Sequence, residues 1–131
     1  MEKNEIFIIL RATCDNEIDA KYLKDIKFTK IWKKNDNKIA GNNILKYKNF
    51  GFSIEKKYHN QEYIQEILDI FFLDESSIKV AKLNFLKKEL MIVIYSYNKL
   101  PAIIYNSKFL KFLGDNNIEL SHDIYTFGRK I

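Results

Sequence analysis

Two short apolar runs constrain the fold of this 131-residue chain more than any other feature. Residues 6–10 read IFIIL and residues 90–95 read LMIVIY, without the polar alternate positions of a strand that has one wet face. Both runs are far shorter than the roughly 18 apolar residues of a membrane-spanning helix. Runs of this length are typical of central strands that are covered on both faces. The sequence therefore predicts a sheet with at least two central strands, over 5–13 and 90–97.

Two further strands are predicted from their residue patterns. Residues 49–58 alternate, with Phe52 and Ile54 on one face and Glu55 and Lys57 on a wet face. Residues 118–127 form the last strand of the chain.

Helical spacing of apolar residues predicts helices over 17–25, 61–73 and 108–113, and a short one over 76–83. For 76–83, a strand that begins at Ile78 is the alternative. The expected N-caps are Asp15 or Asn16, Asn60, Ser77 and Ser107, and Gly114 is expected to end the last helix in a left-handed conformation.

Elements with one apolar face must stack in layers. We therefore expect an α+β fold in which a mainly antiparallel sheet of four or five strands carries helices on one face. The length suits a single domain over 1–131, with a long basic loop over 27–48, in which residues 44–47 can form one short edge strand, and a tail over 128–131. An exposed edge strand leaves a monomer and a homodimer both open.

The positive charge is concentrated in one segment. The chain has a net charge of +5, and residues 27–60 hold nine Lys against two acidic residues. Such a segment attracts phosphate, nucleic acid or an acidic protein surface. The competing interpretation is a solvated loop: 20 of the 22 basic residues are Lys, and Lys, Asn and Ile are the residues of A/T-rich codons.

Trp32, the only tryptophan, lies inside this basic segment. It is either an aromatic anchor that fills a partner's pocket or stacks on a base, or a ring that folds back over the end of the sheet. The candidate partner-binding residues are Lys30, Trp32, Lys33, Lys34, Tyr47, Glu55 and Lys57.

Catalytic and metal-binding patterns are sparse. Cys14, His59 and His122 suggest a thiol nucleophile with Asp123 or Asp15 as the orienting group. However, Asp123 follows His122 directly on a predicted strand, so their side chains point to opposite faces. No zinc-ligand spacing, glycine-rich dinucleotide motif or phosphate-binding loop is present in the sequence. We therefore expect no catalytic residues, no metal site, no cofactor and no enzymatic activity.

No targeting or membrane segment is expected either. The first residues carry acids, and the apolar stretch that follows is too short for a signal peptide. These features predict a cytoplasmic protein without membrane contact.

Several short pieces of the chain match one known family pattern: Asn16-Glu17-Ile18 to Leu23, Thr29, Trp32 with Lys34, Gly51-Phe52-Ser53, Ile67-Leu68, residues 90–96 and Asp123-Ile124-Tyr125. In these pieces the chain resembles the bacterial family described as domain of unknown function 4279. Phe28, Asn35 and Phe52 depart from the Pro, Gly and Trp of the family pattern. The resemblance implies no catalytic residues, and it suggests the small single-domain partners found beside bacterial toxins.

These observations predict a non-enzymatic binding protein. We expect an immunity-type inhibitor that neutralises a toxin or a defence component by blocking its surface with the 27–60 segment. The alternative is a nucleotide or nucleic-acid binding protein that uses the same basic segment together with Trp32.

Overall fold

A computed structural model of the chain describes residues 3–59, 62–97 and 99–127. Its elements, in chain order, are β1 (Glu5–Cys14), α1 (Ala20–Leu23), β2 (Lys30–Trp32), β3 (Asn37–Ala40), β4 (Asn43–Lys46), β5 (Phe50–His59), α2 (Ile64–Phe71), α3 (Glu75–Ala81), β6 (Lys87–Ser96), α4 (Ser107–Asp115) and β7 (Ile118–Thr126).

The main sheet has five strands in the order β2-β5-β1-β6-β7. All neighbours are antiparallel except β6 and β7, which are parallel because α4 connects them. The expected α+β class with a mainly antiparallel five-stranded sheet is confirmed. The apolar runs form β1 and β6, which lie side by side at the centre.

Alternate residues of the central strands build the core. Ile6, Ile8 and Leu10 are fully buried in the same apolar cluster as Ile67 and Phe71 of α2, Val80 of α3 and Leu113 of α4. This cluster joins the sheet and the helices into one domain, with the helices on one side of the sheet as expected.

The other side of the sheet carries no helix among the described residues. The expectation that β1 and β6 are covered on both faces is therefore wrong. Phe7 and Ile9 on this side are only half-buried, and neighbouring side chains cover them in part. The Phe7 ring meets the Tyr95 ring edge to face at 5.8 Å, and Tyr95 stacks on Tyr125 at 5.1 Å. The apolar runs in the sequence are continuous because aromatic and aliphatic side chains lie on both sides of the sheet.

Residues 27–48 do not form one long loop, although β4 overlaps the short strand expected over 44–47. The segment contains β2 at the edge of the sheet and a separate hairpin of β3 and β4. Gly41 in the hairpin turn has a φ of +64°, which glycine adopts without strain. Apolar and polar residues do not alternate in β3 and β4, because every residue of these two strands is exposed.

Several helix ends differ from expectation. Asp19 caps a shorter α1, Asp74 caps α3, and Asn106 rather than Ser107 caps α4. Each of these side chains accepts a hydrogen bond from a backbone N–H of the first turn. The expected caps at Ser77 and Ser107 lie one or more residues inside the helices.

Gly114 is part of α4 rather than its left-handed end. The helix continues to Asp115, and Asn117 takes the positive φ of 53°. Helix α2 begins at Ile64. The expected cap Asn60 and the expected tail over 128–131 lie outside the described residues. No helix within the described ranges is long and apolar enough to cross a membrane.

Candidate functional site

The side of the sheet without helices presents a continuous surface, which we call the open face. It contains Phe7, Ile9, Arg11 and Thr13 of β1, Gly51, Ser53, Glu55 and Lys57 of β5, and Glu89, Met91, Val93 and Tyr95 of β6. These residues lie directly opposite one another in the strand registers, so their side chains share a face. Lys30 and Trp32 of β2 continue it past β5 because they pair with Ser53 and Gly51.

Trp32 lies on the open face but is buried, with only 5% of its surface exposed. Its ring covers Gly51, where a Cβ atom would come within 2.6 Å of the Trp32 Cε2 atom. Its indole N–H donates to Asn49 Oδ1 at 3.2 Å. In this structure the ring therefore packs over the sheet, which is the second of the two interpretations drawn from the sequence.

Four side chains contact one another in series around this ring, and we call them the Trp32 stack. The Arg11 guanidinium lies 5.2 Å from the centre of the Trp32 ring. Trp32 stacks on Tyr47 with centroids 4.9 Å apart, and the Lys38 ammonium lies 5.5 Å from the centre of the Tyr47 ring. Cation–π contacts of this kind favour placing the cations on the ring faces. The stack links the central strand β1 to the hairpin.

Backbone hydrogen bonds fix the base of the hairpin. The Tyr47 N–H donates to Asp36 O at 2.9 Å, and the Asn35 N–H donates to Tyr47 O at 2.8 Å. The Asp36 carboxylate accepts from the Lys33 N–H at 2.7 Å. Asn35 has a φ of 76°, a conformation that asparagine tolerates better than most residues. These bonds close the base of the hairpin, and the Trp32 stack joins that base to the open face.

A cleft of about 860 Å³ lies between the hairpin and the open face. We call it the basic cleft, because its wall contains Arg11, Lys34, Lys38, Lys46 and Lys48, together with Asn49. Among the residues that the structure describes, no acidic side chain lines it. Within the described part of the chain, none of these five cations makes an ion pair.

A second cavity of about 650 Å³ lies on the other side of Arg11. Its wall carries charges of both signs, including Lys87, Glu89 and Glu119. Arg11 therefore separates a mixed-charge region of the surface from a purely cationic one.

The predicted binding residues divide into three groups. Trp32 and Tyr47 are buried in the Trp32 stack. Lys30, Glu55 and Lys57 are exposed along the open face. The Lys57 ammonium lies 3.4 Å from Glu5 Oε2, so it is partly neutralised.

Lys33 and Lys34 are exposed between β2 and β3, and only Lys34 reaches the wall of the basic cleft. The sequence interpretation missed Arg11 and the exposed apolar residues Ile39 and Ile44. An arginine that interrupts an apolar strand in a lysine-rich chain was the available signal for Arg11.

The structure separates the residues of the thiol hypothesis. In the register of β1 and β5, Cys14 pairs with Phe50 whereas Glu5 pairs with His59. Nine residues of extended strand therefore separate Cys14 from His59, roughly 30 Å. Cys14 and His59 therefore do not meet in one reactive site.

His122 and Asp123 occupy opposite sides of the sheet. His122 lies opposite Ile92 on the helix side, where its Nε2 contacts the Tyr105 hydroxyl. Burial raises the pKa of that hydroxyl to about 12. Asp123 accepts a hydrogen bond from the Tyr125 hydroxyl at 2.7 Å, and that bond raises the pKa of Tyr125. Across the described ranges, no three His, Cys, Asp or Glu side chains gather as a metal site requires.

Comparisons with family models, curated proteins and solved structures return no match to this chain. The resemblance to the family of domain of unknown function 4279 therefore stays a prediction.

Proposed function

We propose that this protein is a non-enzymatic cytosolic binding protein that inhibits a protein partner, of the class of a toxin or a defence component, by covering its surface. The single observation that carries the proposal is a pair of exposed apolar side chains on the face of the hairpin opposite to Lys38 and Leu45. Ile39 and Ile44 pair directly across β3 and β4 and are 81% and 72% exposed. Large apolar side chains that are presented side by side to solvent are typical of interaction surfaces.

The surroundings of the apolar pair favour a partner of particular chemistry. Asn37 and Lys46 lie on the same face of the hairpin as Ile39 and Ile44, since they pair with each other two positions away. We expect a partner surface with an apolar pocket that carries carboxylates at its rim. An acidic group would meet Lys46 while the two isoleucines fill the pocket.

The fixed base of the hairpin also supports a binding role. A binding segment that is already ordered loses less conformational entropy when the complex forms. The Trp32 stack and the Asp36–Tyr47 backbone bond order the base before any partner arrives. A rigid projecting hairpin suits an inhibitor that blocks a site and takes no part in chemistry.

The alternative of a nucleotide or nucleic-acid binding protein loses part of its support. Base stacking requires an accessible ring, and Trp32 and Tyr47 are 5% and 9% exposed. The positive charge of the segment remains available to phosphates, but the ring surface does not. Whether the protein acts as a monomer or a homodimer stays a prediction.

The test is capture of the partner by the full chain and by matched variants. We expect the wild-type chain to recover one stoichiometric protein from its source cells, which is then purified and reassembled with it. Ile39→Asp with Ile44→Asp is expected to weaken that complex by about a hundredfold or more, as for paired interface anchors. Leu73→Asp is the control because Leu73 is also 81% exposed but lies beyond α2.

The binary complex also tests inhibition. The activity of the partner is expected to fall when wild-type chain is added and to persist with the double variant. The proposal is wrong if no partner is recovered, if Leu73→Asp weakens the complex equally, or if the bound partner stays active.

A further inference from the structure

The hairpin has a second face, which closes over the basic cleft. Lys38 and Leu45 pair with each other on the side opposite to Ile39 and Ile44, and both line the cleft. We propose that the basic cleft binds a diphosphate or triphosphate group, either free or carried by a nucleotide. This proposal is independent of the protein-binding function because it uses the other face of the hairpin.

Arg11 is the centre of the proposed site. Its Nε atom is buried, yet it has no hydrogen-bond partner among the described residues. The guanidinium carbon lies over the Trp32 ring, 5.2 Å from its centre, and the guanidinium carries five N–H donors and no acceptor. A buried donor without an acceptor is unfavourable, and a guanidinium edge matches two oxygens of a phosphate. Arg11 is therefore prepared for an oxyanion.

Three lysines determine how much charge the ligand must carry. Lys34, Lys38 and Lys48 line the wall of the cleft together with Arg11, and no acidic side chain of the described residues lines that wall. The Lys46 ammonium instead donates to Asn37 Oδ1 at 3.4 Å, on the other face of the hairpin. Like charges held together repel one another, and a multivalent anion relieves this repulsion at several points. A di- or triphosphate carries enough negative charge to match several of these cations at once. A single carboxylate does not.

The size and the polar groups of the cleft fit the same class of ligand. Its volume of about 860 Å³ falls within the usual range of small-molecule sites, about 300–1,000 Å³. Asn49 Oδ1 accepts from the Trp32 N–H, so the Asn49 Nδ2 hydrogens remain as donors toward the cleft.

The stacked rings argue against recognition of a base. The Trp32 ring contacts Arg11, Tyr47 and the sheet, and the Lys38 ammonium lies over the Tyr47 ring. Neither ring offers an open face of the kind that stacks on a base. We therefore expect the phosphates to provide the binding energy, so that a nucleoside alone does not bind.

The test is calorimetric titration of the full chain at about 0.15 M salt, where nonspecific attraction between exposed charges is screened. The titrants are tripolyphosphate, ATP and adenosine. Tripolyphosphate, ATP or both are expected to bind with one site per chain, whereas adenosine does not bind. Binding of tripolyphosphate alone identifies a free polyphosphate, and comparable binding of both allows a nucleotide. The single Trp32 reports the same event by its fluorescence.

Three variants test the assignment. Arg11→Lys keeps the charge but loses the two-point contact, so tripolyphosphate affinity is expected to fall about tenfold. Lys34→Gln changes no contact of the Trp32 stack and is expected to weaken binding severalfold even if Arg11→Lys perturbs the fold. Lys24→Gln is the control, because this exposed lysine lies at the end of α1 outside the cleft.

The proposal is overturned if tripolyphosphate and ATP both fail to bind, if adenosine binds as well as ATP, or if Lys24→Gln weakens binding as much as Lys34→Gln. Retained tripolyphosphate binding by the Ile39→Asp, Ile44→Asp variant is expected. That result separates this site from the protein-binding surface.

Discussion

Lys88 is a lysine inside the apolar core. It lies on the helix side of β6 with 1% of its surface exposed, and its ammonium donates to the Ala81 carbonyl at the end of α3. Burial lowers the pKa of Lys88, since the charged form is poorly solvated there. The unfolded chain therefore binds a proton at Lys88 more readily than the folded chain does.

This linkage predicts how stability depends on pH. The burial penalty is present in full below the folded-state pKa of Lys88 and disappears as the pH approaches the unfolded value near 10.5. The free energy of unfolding of the wild type should therefore rise relative to Lys88→Met as the pH increases from 7 toward 10.5. Urea denaturation of both proteins at several pH values measures this difference.

The comparison has two internal controls. Tyr105, whose pKa burial raises to about 12, destabilises both proteins above pH 10 and cancels in the difference. Lys82→Met replaces an exposed lysine at the end of α3, and its free energy of unfolding relative to wild type should not change with pH in this way. A pH-independent difference between wild type and Lys88→Met would contradict the assigned cost of burial.

At the scale of elements, the attachment of the hairpin depends on Gly51. A Cβ atom there would lie 2.6 Å from Trp32 Cε2 and 2.8 Å from the Ala12 carbonyl oxygen. Gly51→Ala should therefore displace Trp32, lower the free energy of unfolding by about 1–3 kcal/mol and shift the Trp32 emission to longer wavelength. Chemical denaturation followed by fluorescence measures both effects.

Gly114→Ala provides the matched comparison. No atom lies within 4 Å of a Cβ at Gly114, which is inside α4, so this change should stabilise the protein by up to about 1 kcal/mol. The account of the Trp32 stack is wrong if Gly51→Ala leaves both the stability and the emission unchanged.

The elements that could be predicted from the sequence are those with a buried face. Strand β5 and helix α2 were visible because burial imposes a period of two or of 3.6 residues. The hairpin has no buried face, so β3 shows no such period, and β4 was expected only as a short edge strand inside a loop. The position of Trp32 depends on Gly51 and Arg11 from two other strands, and one-dimensional spacing does not contain that contact.

At the scale of the whole molecule, the structure has a stable centre and a peripheral hairpin. Strand β1 is paired along nearly its whole length with β5 on one side and with β6 on the other. The hairpin pairs only with itself and joins the sheet through its base and the Trp32 stack. The hairpin should therefore open by local unfolding, whereas the central strands should open only when the whole domain unfolds.

Amide hydrogen exchange measures these two kinds of opening. Amides of β1 in the core, such as those of Ile8 and Leu10, should exchange only when the whole domain unfolds, which costs at least about 5 kcal/mol for a typical domain. Hairpin amides such as that of Ile44 should exchange by local opening, about a thousandfold faster or more. Gly51→Ala should increase the hairpin rates further, because it weakens the stack. Equal protection of β1 and the hairpin would instead place the hairpin in the same cooperative unit as the sheet.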